Sequence, residues 1–323
     1  MFVDMPLEEL RSYRPDPPGA EDFEPFWKRT LDAARRHDLD VSRAPWDVRL
    51  PEVQVDDLSF RGYDGQQVRG WFLRSRHASA PLPCVVAYDG YGGGRGLPHE
   101  WLFWPNAGAS VLVVDNRGQG SGHRSGVTPD VAPPSGPHQY GFLTLGVESP
   151  ETYYYRRLYT DAVRAVEAAR TLPEVDGSRI VVAGASQGGG IALAVAGLVP
   201  ELAAALVDVP FLCHIARAVE LTDTYPYQEL RLWLRAHRYD AERALRTVAY
   251  ADGVNFASRA TAPALFSVAL MDDVCPPSTV YAAFNHYAGE ASMDVWPYAG
   301  HEGGGPDQAL RQLDFLRRLG VVD

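Results

Sequence analysis

The run Gly184-Ala185-Ser186-Gln187-Gly188 constrains this chain more than any other stretch. Before it lies Ile180-Val181-Val182-Ala183, an apolar run with strand character, and after Gly189 and Gly190 comes Ile191-Ala192-Leu193-Ala194-Val195-Ala196, which reads as a helix. A serine at the tip of so sharp a strand-to-helix turn sits in strained backbone geometry. Two elements then pass close on either side, and glycines without a Cβ leave room for them. The strain holds the Ser186 hydroxyl above the sheet edge, and the N-terminus of the following helix aims backbone N–H groups at the same place.

Around this turn the chain alternates short apolar β runs with helical periods. The runs are 83–88, 110–115, 180–184, 205–209, 264–269 and 293–297, and the helical stretches are 159–171, 191–199, 279–286 and 306–319. That rhythm predicts a mostly parallel α/β sheet covered on both faces. Residues 52–60 and 67–74 alternate like two strands joined at Tyr63-Asp64-Gly65, which predicts an antiparallel start. One domain is expected over 1–323. It has an N-terminal arm (about 1–40) carrying a helix from about Asp22 to His37, and a helical insertion (about 211–258) that forms a lid or wall of the site.

Acyl transfer by a serine needs a base and a group that orients the base, and after such an elbow these follow in the order Ser, Asp or Glu, His. Asp272 follows the fifth parallel run and His301 the last, both in loops where open α/β sheets place their sites. Ser186 is read as nucleophile, His301 as general base and acid, and Asp272 as the orienter. Asp273 is a rival orienter, placed second because it lies further from the strand end. The loop Asp89-Gly90-Tyr91-Gly92-Gly93-Gly94 follows the first parallel run. The oxyanion hole is assigned to the Gln187 and Tyr91 N–H groups, with the Tyr91 ring walling the acyl pocket. A phosphate loop is a worse reading, because no G-x-x-x-x-G-K-[ST] pattern is present. Arg117 and Gln119 are read as structural ties between loops. Pro210 and Tyr225 are further candidates for substrate contact, and Trp101, Trp104 and Tyr227 for stacking against a sugar.

A net charge of −11 argues against nucleic acid and anionic membrane as partners. No apolar run approaches the ~20 residues of a membrane span. The three cysteines, Cys84, Cys213 and Cys275, have no metal or redox spacing. They are expected as reduced thiols of a cytoplasmic protein without metal or other cofactor.

Three motifs, Arg117-Gly118-Gln119-Gly120, Gly184-Ala185-Ser186-Gln187-Gly188-Gly189 and His301-Glu302, stand in order with the segments 149–157, 208–214 and 271–279. Together they resemble the acetyl xylan esterase and cephalosporin C deacetylase family (carbohydrate esterase family seven), over nearly the whole chain. The resemblance implies an α/β-hydrolase fold and deacetylation of small acetylated sugars and of cephalosporin C. It implies a Ser186, Asp272, His301 triad with oxyanion donors at Tyr91 and Gln187. It also implies a ring-shaped homohexamer. The family often has His-Gly-Tyr where this chain has Asp89-Gly90-Tyr91, a departure that leaves the triad intact and puts a carboxylate near the acyl pocket. Two rival readings remain: a small-peptide hydrolase sharing the elbow, and a non-catalytic binding protein on the same fold.

Overall fold

The computed structural model describes residues 2–130 and 139–323. The chain enters through α1 (Leu7–Leu10) and α2 (Phe23–Ala34), then forms three antiparallel strands, β1 (Ser42–Trp46), β2 (Val53–Arg61) and β3 (Gln67–Ser75). There follow β4 (Leu82–Tyr88), α3 (Phe103–Asn106), β5 (Ser110–Val114), α4 (Tyr154–Arg170), β6 (Val175–Ala185), α5 (Gln187–Leu198) and β7 (Ala204–Asp208). The helices α6 (Ile215–Leu221), α7 (Tyr227–Ala236), α8 (Ala241–Ala249) and α9 (Gly253–Ala257) come next. The chain closes with β8 (Ala264–Ala269), α10 (Pro277–His286), β9 (Ala291–Trp296) and α11 (Gly305–Arg318).

The strands make one sheet in the order β1-β2-β3-β5-β4-β6-β7-β8-β9, and every pairing from β5 to β9 is parallel. The apolar runs read from the sequence are these strands. Parallel strands buried on both faces lose the polar alternation of a half-exposed strand. Val86, Val182, Val207 and Phe266 join the core under α4, α5 and α9. Val85, Val181, Leu206 and Leu265 join the opposite core with Trp104, Leu313 and Leu316, beneath α3 and α11. The register sets Tyr88 beside Gly184 and Ala185 beside Asp208, so β4, β6 and β7 end level at one edge. The site is built there.

Two elements depart from the sequence expectation. β1 is exposed along its length and contains Pro45, so nothing in its pattern marks a strand. It pairs through its backbone with β2 at the sheet edge, where proline is tolerated. α4 begins at Tyr154, ahead of its apolar period, because Tyr153, Tyr154 and Tyr155 are fully buried rings whose hydroxyls donate to Leu143 O, Arg117 O and Gln187 Oε1. In the N-terminal arm, Trp27 packs on Tyr159 and Phe256 and donates its indole N–H to Tyr250 O at 3.0 Å. Among the described residues, no helix is long and apolar enough to cross a membrane.

Candidate active site

Ser186 has φ 57° and ψ −121°, a conformation that a residue with a side chain adopts only when its surroundings hold it there. They do so through three backbone bonds: Ser186 N donates to Asp208 O, and Ser186 O accepts from Gly190 N and Phe211 N at 3.0 and 2.9 Å. The glycines of the motif are sterically required. A Cβ on Gly184 would lie 2.3 Å from the Gly188 carbonyl carbon, and one on Gly188 would lie 2.1 Å from the Tyr88 carbonyl oxygen.

The loops after β8 and β9 meet Ser186. His301 Nε2 stands 2.9 Å from Ser186 Oγ, and His301 Nδ1 stands 2.8 Å from Asp272 Oδ2. Asp272 is fully buried, and its other oxygen accepts from Val274 N and Cys275 N, both at 2.9 Å. Both carboxylate oxygens are thereby engaged, one by two backbone N–H groups and the other by His301. Met271 N donates to Ala299 O and ties the two loops together. Asp273, the rival, is exposed; its backbone carbonyl rather than its carboxylate takes the Thr222 and Thr224 hydroxyls.

Gln187 opens α5, and its side chain reaches under the glycine loop. Its Nε2 donates to Gly90 O at 3.3 Å, while its Oε1 accepts from Tyr155 OH and Gln119 Nε2. Gln119 Oε1 accepts from Gly92 N at 2.6 Å, and Asn116 Nδ2 donates to Asp89 O and Gly93 O. Gln119 is thus a tie between loops. Arg117, fully buried, holds Asp161 bidentately at 2.5 and 2.8 Å and faces Asp130, which pairs with Arg157. Among the described residues, neither the Gln187 nor the Tyr91 backbone N–H has a protein acceptor. The Tyr91 hydroxyl donates to Glu229 Oε2 at 2.6 Å and accepts from Phe142 N at 2.8 Å. Burial and the adjacent Glu229 push its pKa up, so it stays protonated.

These groups open into a cavity of 630 Å³ lined by Ser186, His301, Tyr91, Trp101, Trp104 and Tyr225, among others. Pro210 and Tyr227 are not at this cavity. Pro210 is buried behind the elbow, 3.2 Å from where a Cβ on Gly189 would stand. Tyr227 is fully buried, and its hydroxyl accepts from Leu212 N. The 211–258 segment contributes Tyr225 and Pro226 to the cavity wall.

Comparisons with known proteins identify the family. The family described as acetyl xylan esterase (AXE1) matches residues 1–319. The chain belongs to the acetyl xylan esterase family. Its structure is similar to that of an acetyl xylan esterase from Paenibacillus sp. R4, with 38% identity, a TM-score of 0.90, and 99% of this chain and 100% of that one covered. It is similar also to acetyl xylan esterase 1 from Thermoanaerobacterium sp. JW/SL YS485, with 30% identity, a TM-score of 0.89, and 98% and 99% covered. A curated relative, acetyl esterase Axe7A of Xylanibacter ruminicola, is 28% identical over 288 residues, and the match spans 86% of this chain and 62% of the relative's length. Below these lies a fold-level likeness to a Pyrococcus horikoshii acylaminoacyl peptidase, with 16% identity, a TM-score of 0.60, and 84% of this chain and 42% of that one covered. The fold is that of the α/β-hydrolases.

Two cavity residues of this family member have no signal in the sequence. His123 and Arg124 come from the irregular loop after β5 and reach Asp89 at 3.2 and 2.7 Å. Only the loop's path over the glycine segment brings them there; Gly94 N donates to Arg124 O and Gly122 N to Gly92 O. Asp272, Cys275 and His301 set one potential metal ligand each within 4.8 Å of one another. That donor set fits a proton chain better than a cation, because two members are already hydrogen-bonded and burial pushes the Cys275 thiol well up, keeping it protonated.

Proposed function

We propose that this chain is a serine esterase that removes acetyl groups from small acetylated carbohydrates, xylo-oligosaccharides foremost, through an acyl-enzyme. The observation that carries the reading is the unbroken hydrogen-bonded line Asp272–His301–Ser186, set beside two unpaired backbone N–H groups in one cavity. The acetyl xylan esterases and the acetyl esterase to which the chain is similar supply the substrate class.

In this mechanism Ser186 Oγ attacks the acetyl carbonyl while His301 Nε2 takes its proton. Asp272 holds the tautomer with Nδ1–H and stabilises the imidazolium. The tetrahedral oxyanion forms against the Gln187 and Tyr91 N–H groups. Collapse expels the sugar alkoxide, which takes the proton from His301. A water activated by His301 then releases acetate and regenerates Ser186. The rings of Trp101, Trp104 and Tyr225 give a hydroxylated leaving group apolar faces to lie on. The acetyl ester of cephalosporin C presents the same bond and is proposed as a second substrate. A cytoplasmic location fits the three buried free thiols. Assembly as a homohexamer rests on the family resemblance, and sedimentation of the purified protein tests it.

The test of activity is acetate release from acetylated xylobiose and from p-nitrophenyl acetate, by the wild type and by Ser186→Ala. The wild type is expected to turn over both, and the variant to lose on the order of 10⁶ in kcat. Turnover of the activated ester alone would refute the sugar substrate and leave the serine chemistry standing. Activity surviving in the variant would refute the mechanism.

A further inference from the structure

Asp89 puts a carboxylate at the wall of the cavity in which negative charge develops in the proposed reaction. It is 5% exposed, lines the same cavity as Ser186, and sits two residues before Tyr91. A fixed negative charge there opposes oxyanion formation unless it is cancelled. The structure cancels it twice. Arg124 Nη1 meets Asp89 Oδ1 at 2.7 Å, and His123 Nε2 faces Oδ2, which has no other partner among the described residues, at 3.2 Å. Arg124 is itself fixed, with its guanidinium 4.5 Å from the Trp101 ring centroid and its Nε 3.3 Å from Glu100 Oε1. Glu100 Oε2 in turn accepts from Leu97 N. Gly93 makes room for the arrangement, since a Cβ there would lie 2.2 Å from Asp89 Oδ2 and 2.8 Å from His123.

We infer that Asp89, Arg124 and His123 form a charge-compensated strut, in which Asp89 is a positioning residue for the Tyr91 oxyanion loop and Arg124 keeps its charge from opposing the transition state. The inference rests on the serine-esterase reading above. It ties the carboxylate at the start of the glycine loop to the loop that crosses over it, so the Tyr91 N–H is held from its side-chain end by Glu229 and from its backbone end by this pair. Burial of one member without the other leaves an uncompensated charge, whereas removal of both leaves none. The Asp89 carboxylate facing its Nε2 also raises the His123 pKa, which favours the cationic partner.

The strut therefore predicts a sign that a plain structural contact does not. Arg124→Gln should lower kcat on p-nitrophenyl acetate about 10- to 100-fold with little change in KM, since one missing oxyanion-type interaction has effects up to that order. Adding Asp89→Asn to Arg124→Gln should restore most of that loss, to within about fivefold of wild type, because the orphaned charge is gone. Arg124→Lys, which keeps the charge without the fork, should fall between, and His123→Gln should lose less than Arg124→Gln because its ring is half exposed. Thermal melts of each variant separate a folding defect from a kinetic one. If the double variant is as slow as Arg124→Gln, or if the Arg124→Gln loss lies in KM alone, or if Arg124→Gln is as fast as wild type, the strut is wrong. None of those outcomes touches the esterase reading, which Ser186→Ala tests separately.

Discussion

Asp272 and Asp208 stand at the ends of neighbouring strands, both close to the His301 loop, and the structure treats them in opposite ways. Asp272 spends one oxygen on two backbone N–H groups and the other on His301. Asp208 accepts from Gln312 on one oxygen and, among the described residues, has no partner on the other. Ser267 and Gln308 lie beside it outside good hydrogen-bond geometry, and Asp294 adds a like charge. Desolvation outweighs these few donors and raises the Asp208 pKa to about 7. Two aspartates a strand apart thus become a hydrogen-bonded orienter and a proton holder. The number and direction of donors decides which, and burial alone does not.

The comparison breaks first at Asp272. Asp272→Asn keeps the shape and offers an amide N–H where His301 needs an acceptor, so the imidazole is held in the wrong tautomer. A fall in kcat on the order of 10⁴, with the melting temperature close to wild type, is expected on p-nitrophenyl acetate. A fall under tenfold would mean that Asp272 does not orient the base.

Asp208→Asn should do the reverse, acting on stability more than on rate. The folded pKa of Asp208 is raised, so between about pH 4 and pH 7 the folded state holds a proton that the unfolded chain releases. Stability contributed by that proton is present at low pH and lost as pH rises through 7. Asparagine carries no charge to desolvate and still accepts from Gln312. The variant is therefore expected to be more stable than wild type at pH 8, by about 2 to 4 kcal/mol, with the gain shrinking toward zero near pH 4. Urea denaturation at both pH values measures it. A gain that does not change with pH would show that Asp208 does not hold the proton assigned to it.

The sequence reached Asp272 and did not reach Asp208, and the reason is physical. Asp272 belongs to a constellation whose order along the chain follows from the fold's connectivity. The elbow glycines are fixed by sub-3 Å backbone approaches, so both can be read without coordinates. The apolar runs marked the parallel strands for a similar reason, since burial on two faces leaves no polar alternation to confuse them. Asp208 gets its character from burial against α11, whose Gln312 lies a hundred residues away, and no local pattern announces that packing. His123 and Arg124 were invisible in the same way. An aspartate in a cavity calls for a cation, but the path of an irregular loop decides which one. β1 escaped because an exposed edge strand containing Pro45 pairs through its backbone alone, and Pro210, a candidate substrate contact, is buried behind the elbow, where the chain turns inward.

The smallest effect sharpens the comparison from the other side. Asp273 is the aspartate that a sequence reading has most trouble separating from Asp272, and in the structure its carboxylate points to solvent while its carbonyl takes two threonine hydroxyls. Those bonds survive any change of side chain. Asp273→Asn should therefore stay within about twofold of wild type in kcat and within about 0.5 kcal/mol in stability, as surface substitutions away from special features do. Paired with Asp272→Asn, it places nearly the whole loss of rate on one of two adjacent carboxylates. If Asp273→Asn instead lost activity comparably, the base would be drawing on the charge of the pair, and the hydrogen bond from His301 Nδ1 to Asp272 Oδ2 would no longer account for the orientation of the ring.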